Sequence, residues 1–274
     1  MIFYVTERLK MDKETIKEWA EKIDAEGKNF YSPHEDYTDK DGQRRCFKCF
    51  VNDGIVCDEK WKTEGNPRIL VILREPREQF DPDCKRSDIG DNIYDLTEYL
   101  KKTNDRYGYE WNMPHSTYRP LKEWIDTIFK KYGYAVPNND NIFEHVAVIN
   151  LKKTPGGSSC NRNKLKDFCS DEKNKMFLRE QIDKIDPNII ILSNEWANFC
   201  TIMGVNPRPT PFEVRHDGIN PLNVYDCKLP MPRGKALVFD AYHPSARGKY
   251  RTLAVDFINV PNKYYNSYGN SQSR

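Results

Sequence analysis

Four short segments, residues 69–73, 146–150, 189–193 and 236–239, are apolar at nearly every position and rich in Val and Ile. A strand with one wet face alternates apolar and polar residues. An unbroken apolar run of this length instead suits a strand buried on both faces of a parallel sheet. Helical patterns lie between the runs, at 92–102, 120–131, 171–185 and 195–203. Another, at 12–28, carries Ile16, Trp19, Ala20 and Ile23 on one face and ends at Gly27. Ser193 and Asn194 offer an N-cap to the 195–203 helix, and Gly204 offers its stop. Alternating strands and helices predict an α/β fold, specifically a three-layer α/β/α sandwich around a four-stranded, mainly parallel sheet. The expected organisation is a helical, Cys-containing extension over 1–65, the α/β/α domain over 66–260 and a loose tail over 261–274.

The chain has 274 residues, long enough for a substantial core without stapling. Its 16 Tyr, 13 Phe and 5 Trp argue against wholesale disorder, although charged residues reach 31%. No apolar run approaches the roughly 20 residues that span a bilayer, and the start of the chain turns charged at once, unlike a secretory signal. The expectation is a cytoplasmic monomer with no membrane partner. With 43 basic and 41 acidic residues the net charge of +2 neither demands nor excludes nucleic acid. Eight cysteines in such a chain suggest thiols or metal ligands before disulfides.

In open α/β sheets ligands gather beyond the carboxyl ends of the strands, so the residues after each run matter most. The first run leads into Arg74-Glu75-Pro76-Arg77 and the second ends at Asn150 before LKKTPGGSSCNRNK. The third closes on Ser193-Asn194-Glu195, and the fourth leads into Asp240-Ala241-Tyr242-His243-Pro244-Ser245-Ala246-Arg247. One end of the sheet is thus expected to collect an acid, an amide, a histidine, hydroxyls and many cations. In that order and placement, these landmarks resemble the uracil-DNA glycosylase superfamily, nearest its bacterial and archaeal branch with a Gly-Glu-Ala-Pro-Gly loop. The similarity runs over roughly residues 66–258.

The resemblance implies a monofunctional DNA glycosylase that flips a damaged or modified pyrimidine out of DNA and hydrolyses its N-glycosidic bond, leaving an abasic site. The base is uracil or a bulkier one, such as the modified or glucosylated hydroxymethylcytosine of phage DNA, which would make the enzyme a phage-defence protein. Cleavage passes through an oxocarbenium-like sugar and leaves an anionic base. A carboxylate stabilises the cation and orients water, and an imidazole donates to the departing base. An Asn reads the edge of the extruded base. By position these roles fall to Glu75, His243 and Asn150, with Phe80 and Ser193 joining Asn150 in the base pocket. The motif departs from the branch: the family's acid lies two residues before the proline, where this chain has Arg74, and Leu73 and Arg77 replace the loop glycines. Either the loop is rebuilt around Glu75, or the acid comes from elsewhere, such as Asp81 or Asp88.

Lys152, Lys153, Arg162 and Lys164, set among Gly and Ser, suit phosphate contacts, as do Ser245, Arg247 and Lys249 beyond the fourth run. The family's apolar wedge is missing, leaving Arg247 or Tyr250 to replace it. The same branch holds a [4Fe-4S] cluster, and the resemblance carries its ligands onto Cys46, Cys49, Cys160 and Cys169. Zinc, with Cys57 and His34 as alternative ligands, is a second possibility. The chemistry itself needs no metal. The alternative reading is a catalytically inactive glycosylase-like module that binds DNA without cutting it.

Overall fold

The computed structural model describes residues 13–25, 37–38, 44–46, 50–76, 79–80, 93–101, 115–137, 140–154, 160–207, 212–214, 222–229 and 234–245. In chain order the first half comprises α1 (Lys13–Ala25), β1 (Tyr37–Thr38), β2 (Arg44–Cys46), β3 (Phe50–Asn52), β4 (Gly54–Ile55), α2 (Asp58–Trp61), β5 (Ile69–Leu73), β6 (Gln79–Phe80), β7 (Ile93–Asp95), α3 (Leu96–Lys101) and α4 (His115–Tyr132). After a 3-10 turn at Ile142–His145 come β8 (Ala147–Asn150), α5 (Arg162–Ser170), α6 (Glu172–Ile185), β9 (Ile189–Ser193), α7 (Trp196–Met203), β10 (Phe212–Val214), β11 (Leu222–Lys228) and β12 (Lys235–Ala241).

The four apolar runs are the four central strands of one mixed sheet, ordered β12-β9-β5-β8 and mutually parallel. The sheet is wider than the four strands expected. An antiparallel pair, β10 and β11, extends it beyond β12, and antiparallel β4 pairs with β8, which makes seven strands among the described residues. Neither addition carries an unbroken apolar run: β11 reads LNVYDCK and β4 is two residues long.

Alternate residues of the central strands feed opposite cores. Leu70, Ile72, Ile149, Ile190, Leu192 and Val238 meet α1, α5, α6 and α7 on one face. Ile69, Val71, Val148, Ile191, Leu237 and Phe239 meet α3 and α4 on the other. Helices therefore cover both faces, which is why the strands lack a polar alternation.

The segment before residue 66 is not an appendage. Trp19 of α1 is buried, stacks on Phe177 of α6 at 5.1 Å and meets Phe50 edge-on at 5.2 Å. Its indole N–H donates to Asn174 Oδ1 at 2.8 Å, and β4 is itself part of the sheet. The expected boundary at 65/66 thus cuts through one shared core. The tail at 261–274 lies outside the described residues.

Two further expectations change. The basic stretch after β8 ends in α5, a helix capped by Asn161, which accepts the N–H groups of Asn163 and Lys164. The cap of α7 is not supplied by Ser193 or Asn194. Asn194 takes a left-handed conformation (φ +60°), and the helix start is capped from the neighbouring strand, where Asp240 accepts the N–H of Glu195 at 3.0 Å. Gly204 does end the helix, at φ +66°.

Candidate active site at the carboxyl ends of the central strands

Parallel register sets the strand ends side by side. Leu73 pairs with Asn150, Ile72 with Leu192, and Ala241 with Ser193. Residues that follow β5, β8, β9 and β12 therefore share one rim. With neighbouring strands about 4.8 Å apart, β5 and β12 stand about 10 Å from each other.

Two buried ion pairs dominate that rim. Glu75 Oε2 lies 3.0 Å from Lys152 Nζ, and the two side chains are 7% and 1% exposed. The same ammonium donates to the carbonyl of Thr154 at 3.1 Å. Arg74 Nε lies 2.7 Å from Glu195 Oε1 and donates to the Ser193 carbonyl at 3.2 Å. Glu195 Oε2 accepts from Asn198 Nδ2 at 2.6 Å. Glu75 is thus neither a solvated surface acid nor a partner of Arg74; it is an internal carboxylate neutralised by a lysine.

Burial pushes the Lys152 ammonium below its usual range, an effect the adjacent Glu75 opposes. Burial likewise raises Glu195, against the pull of Arg74 and Asn198. The Cys160 thiol, which hydrogen-bonds Glu75, is pushed up to about 12 by burial first and by the Glu75 charge second. It sits at this rim as a neutral thiol.

Lys152 and Lys153, expected at phosphates, are internal instead. Lys153 Nζ lies 2.5 Å from Asp53 Oδ1 and 2.9 Å from Gln181 Oε1, fully buried. Each lysine is buried with its own carboxylate, Glu75 for Lys152 and Asp53 for Lys153. Asn150 also turns away from the expected pocket. Its amide N–H and its side-chain Nδ2 both donate to Asp53, at 2.7 and 3.3 Å, and the residue is buried. Ser193 is buried too, and its backbone carbonyl holds Arg74. Arg162 and Lys164 remain at the surface of α5, exposed and partly exposed respectively.

His243 lies just past β12 and is partly exposed. The backbone N–H of Ser245 donates to its Nδ1 at 3.2 Å, and Ser245 Oγ is 2.7 Å from the same nitrogen. An Nδ1 that accepts leaves the proton of the neutral ring on Nε2. Phe80 is placed in β6, whose partner β2 brings Cys46 opposite Gln79, but the side chains of Phe80 and Cys46 lie outside the described residues. Cys49, Arg247, Lys249, Tyr250, His34, Asp81 and Asp88 lie outside them altogether.

Of the four cysteines expected to hold a cluster, Cys160 and Cys169 have described side chains. Cys169 is packed in the core of α5, and burial raises its thiol, as it does that of Cys160. Among the described residues no three His, Cys, Asp or Glu side chains converge to hold an ion.

Sequence reasoning missed Glu195, Asp240 and Asp53. The first two were visible as acids at the ends of apolar strands, yet such residues commonly serve turns. Asp240 is raised to about 6 by burial, despite its bond to the Glu195 N–H. A carboxyl raised in the fold ionises first in the unfolded chain. Its contribution therefore favours the fold most at acid pH and is lost as pH climbs from about 4 through about 6, by up to about 3 kcal/mol. Asp240→Asn keeps the accepting oxygen without this penalty. Urea unfolding should show the variant gaining on the parent between pH 4.5 and 7.5; an equal difference at both pH values would contradict the assignment.

Among the described residues no helix is long and apolar enough to cross a membrane. No protein-family model matches the chain, and no curated protein matches it either.

Proposed function

We propose that the protein is a monofunctional DNA glycosylase, built on a uracil-DNA-glycosylase-like sandwich, that hydrolyses the N-glycosidic bond of a damaged or modified pyrimidine and acts as a monomer. The observation that carries this reading is the His243–Ser245 contact. Ser245 occupies Nδ1 of the imidazole and so leaves Nε2–H as the donor, on the same rim as the buried Glu75. Donation to the pyrimidine oxygen stabilises the negative charge that the base acquires as it leaves. Glu75 supplies the opposite need, a fixed negative charge near the sugar as positive charge develops at C1′, and an acceptor for the attacking water's proton. The Lys152 ammonium and the Cys160 thiol hold that carboxylate in place. Of the residues expected at the DNA backbone, Arg162 is exposed and Lys164 and Ser245 are partly exposed.

One observation favours a second reading, a module that binds DNA without cutting it: the charge of Glu75 is already balanced by Lys152. An abasic-site assay separates the two. Purified protein is incubated with DNA containing uracil, unmodified DNA, and DNA bearing hydroxymethylated or glucosylated cytosine, then treated with alkali. Strand scission confined to one substrate is the expected result. DNA binding that weakens with salt, with no scission in any substrate, would establish the binding module.

A further inference from the structure

We infer that Arg74 selects the class of base, favouring cytosine-type pyrimidines over uracil; this rests on the glycosylase reading and sharpens it. Arg74 stands at the rim directly after β5, where the resembling family would place its acid. Its side chain is 17% exposed, whereas Lys152, Glu75 and Glu195 are at 7% or less. Of the four charged groups, it is the most exposed.

The guanidinium is braced at one end only. Nε is held by the Ser193 carbonyl and by Glu195, and Glu195 is itself fixed by Asn198. Among the described residues the two terminal amino groups have no hydrogen-bond partner. A planar fork of donors, locked by packing and a hydrogen-bonded carboxylate, is prepared to meet two adjacent acceptors.

Charge then narrows the ligand. Glu195 already neutralises the guanidinium, so a neutral pair of acceptors suits it better than a phosphate. A flipped cytosine presents N3 and O2, both acceptors, side by side. Uracil and thymine present an N3–H, which would meet the fork donor against donor. Substituents at C5 of cytosine lie on the far side of the ring and leave this edge unchanged. The same fork assists the chemistry: as the glycosidic bond breaks, its electron pair stays with the base, and the charge spreads onto O2 and N3, where Arg74 and the Nε2–H of His243 would meet it.

The test uses the full chain and oligonucleotides carrying one mispaired 2′-fluoroarabino-cytidine or 2′-fluoroarabino-uridine, whose sugar fluorine slows cleavage so that binding is read by fluorescence anisotropy. The wild-type protein should bind the cytosine probe about tenfold or more tightly. Arg74→Lys keeps the charge opposite Glu195 but loses the fork, and should bind both probes equally while unfolding near the wild-type temperature. Arg74→Gln, which offers both a donor and an acceptor, should shift preference toward uracil. Equal binding of the two probes by the wild-type protein, or a cytosine preference that survives in Arg74→Lys, overturns the assignment. A preference without base release from any natural substrate would sink the glycosylase reading alone; base release without a preference would sink only the role of Arg74. No DNA binding at all would overturn both.

Discussion

Glu75→Gln should lower the rate of abasic-site formation by about a hundredfold to 10⁴-fold while leaving DNA affinity nearly unchanged. That range is typical for removing a positioned acid–base group or a fixed charge from a reacting centre. Glutamine has nearly the same shape and can still accept from Lys152 at 3.0 Å and from Cys160, so the loop should keep its form. The lost charge leaves a buried ammonium without its counter-ion, which costs stability. Because burial already disfavours that ammonium, Lys152 can relieve the strain by losing its proton. The double variant Glu75→Gln, Lys152→Met separates the effects: it should regain stability and remain inactive. Activity that returns in the double variant would show that Glu75 supports the fold and takes no part in the reaction.

The largest effect on stability is expected at the other lysine. Lys153→Met should lower unfolding free energy by about 3–5 kcal/mol, the usual penalty for removing one partner of a buried pair. Domains of ordinary stability hold only about 5–15 kcal/mol in total. The reason lies in what Asp53 gathers. It accepts from Lys153, from the backbone and side chain of Asn150 and from Gln181, which ties the edge of the sheet to α6. Lys153 Nζ also lies 5.5 Å from the centre of the Trp19 ring, which brings α1 into the same cluster. Adding Asp53→Asn to Lys153→Met removes the stranded charge and should recover part of the loss. Urea denaturation of the three proteins checks this; a Lys153→Met cost below about 1 kcal/mol would contradict the account.

The fold was legible where burial is continuous. The four central strands were readable because both their faces are covered, and their order in the chain put the right residues at one rim. The strands β4, β10 and β11 were not readable, since each is short or interrupted by polar residues and takes its conformation from a neighbouring edge. The position of Glu75, His243 and Ser245 was legible for the same reason as the strands. Their partners were not. A Lys-Lys pair in a polar stretch reads as solvated, and only the packing of β3–β4 and the first loop against the end of β8 turns Lys152 and Lys153 inward. A signal was present in hindsight: both lysines follow Leu151 directly out of a nearly all-apolar run and precede Thr154, and all four residues are buried. Asn150 misled because an amide at a strand end suits a base edge and a buried carboxylate equally well; the choice depended on Asp53, nearly a hundred positions away in sequence.

On the proposed reading, this rim breaks an N-glycosidic bond and leaves the DNA backbone whole. The most direct measurement is mass spectrometry of both products after incubation of the purified protein with each DNA substrate, without alkali. The expected result is a free pyrimidine base in solution, equimolar with abasic sites in an uncut strand, with both formed at least about a hundredfold more slowly by Glu75→Gln. A nucleoside or nucleotide in place of the free base, or strand scission without base release, would contradict it.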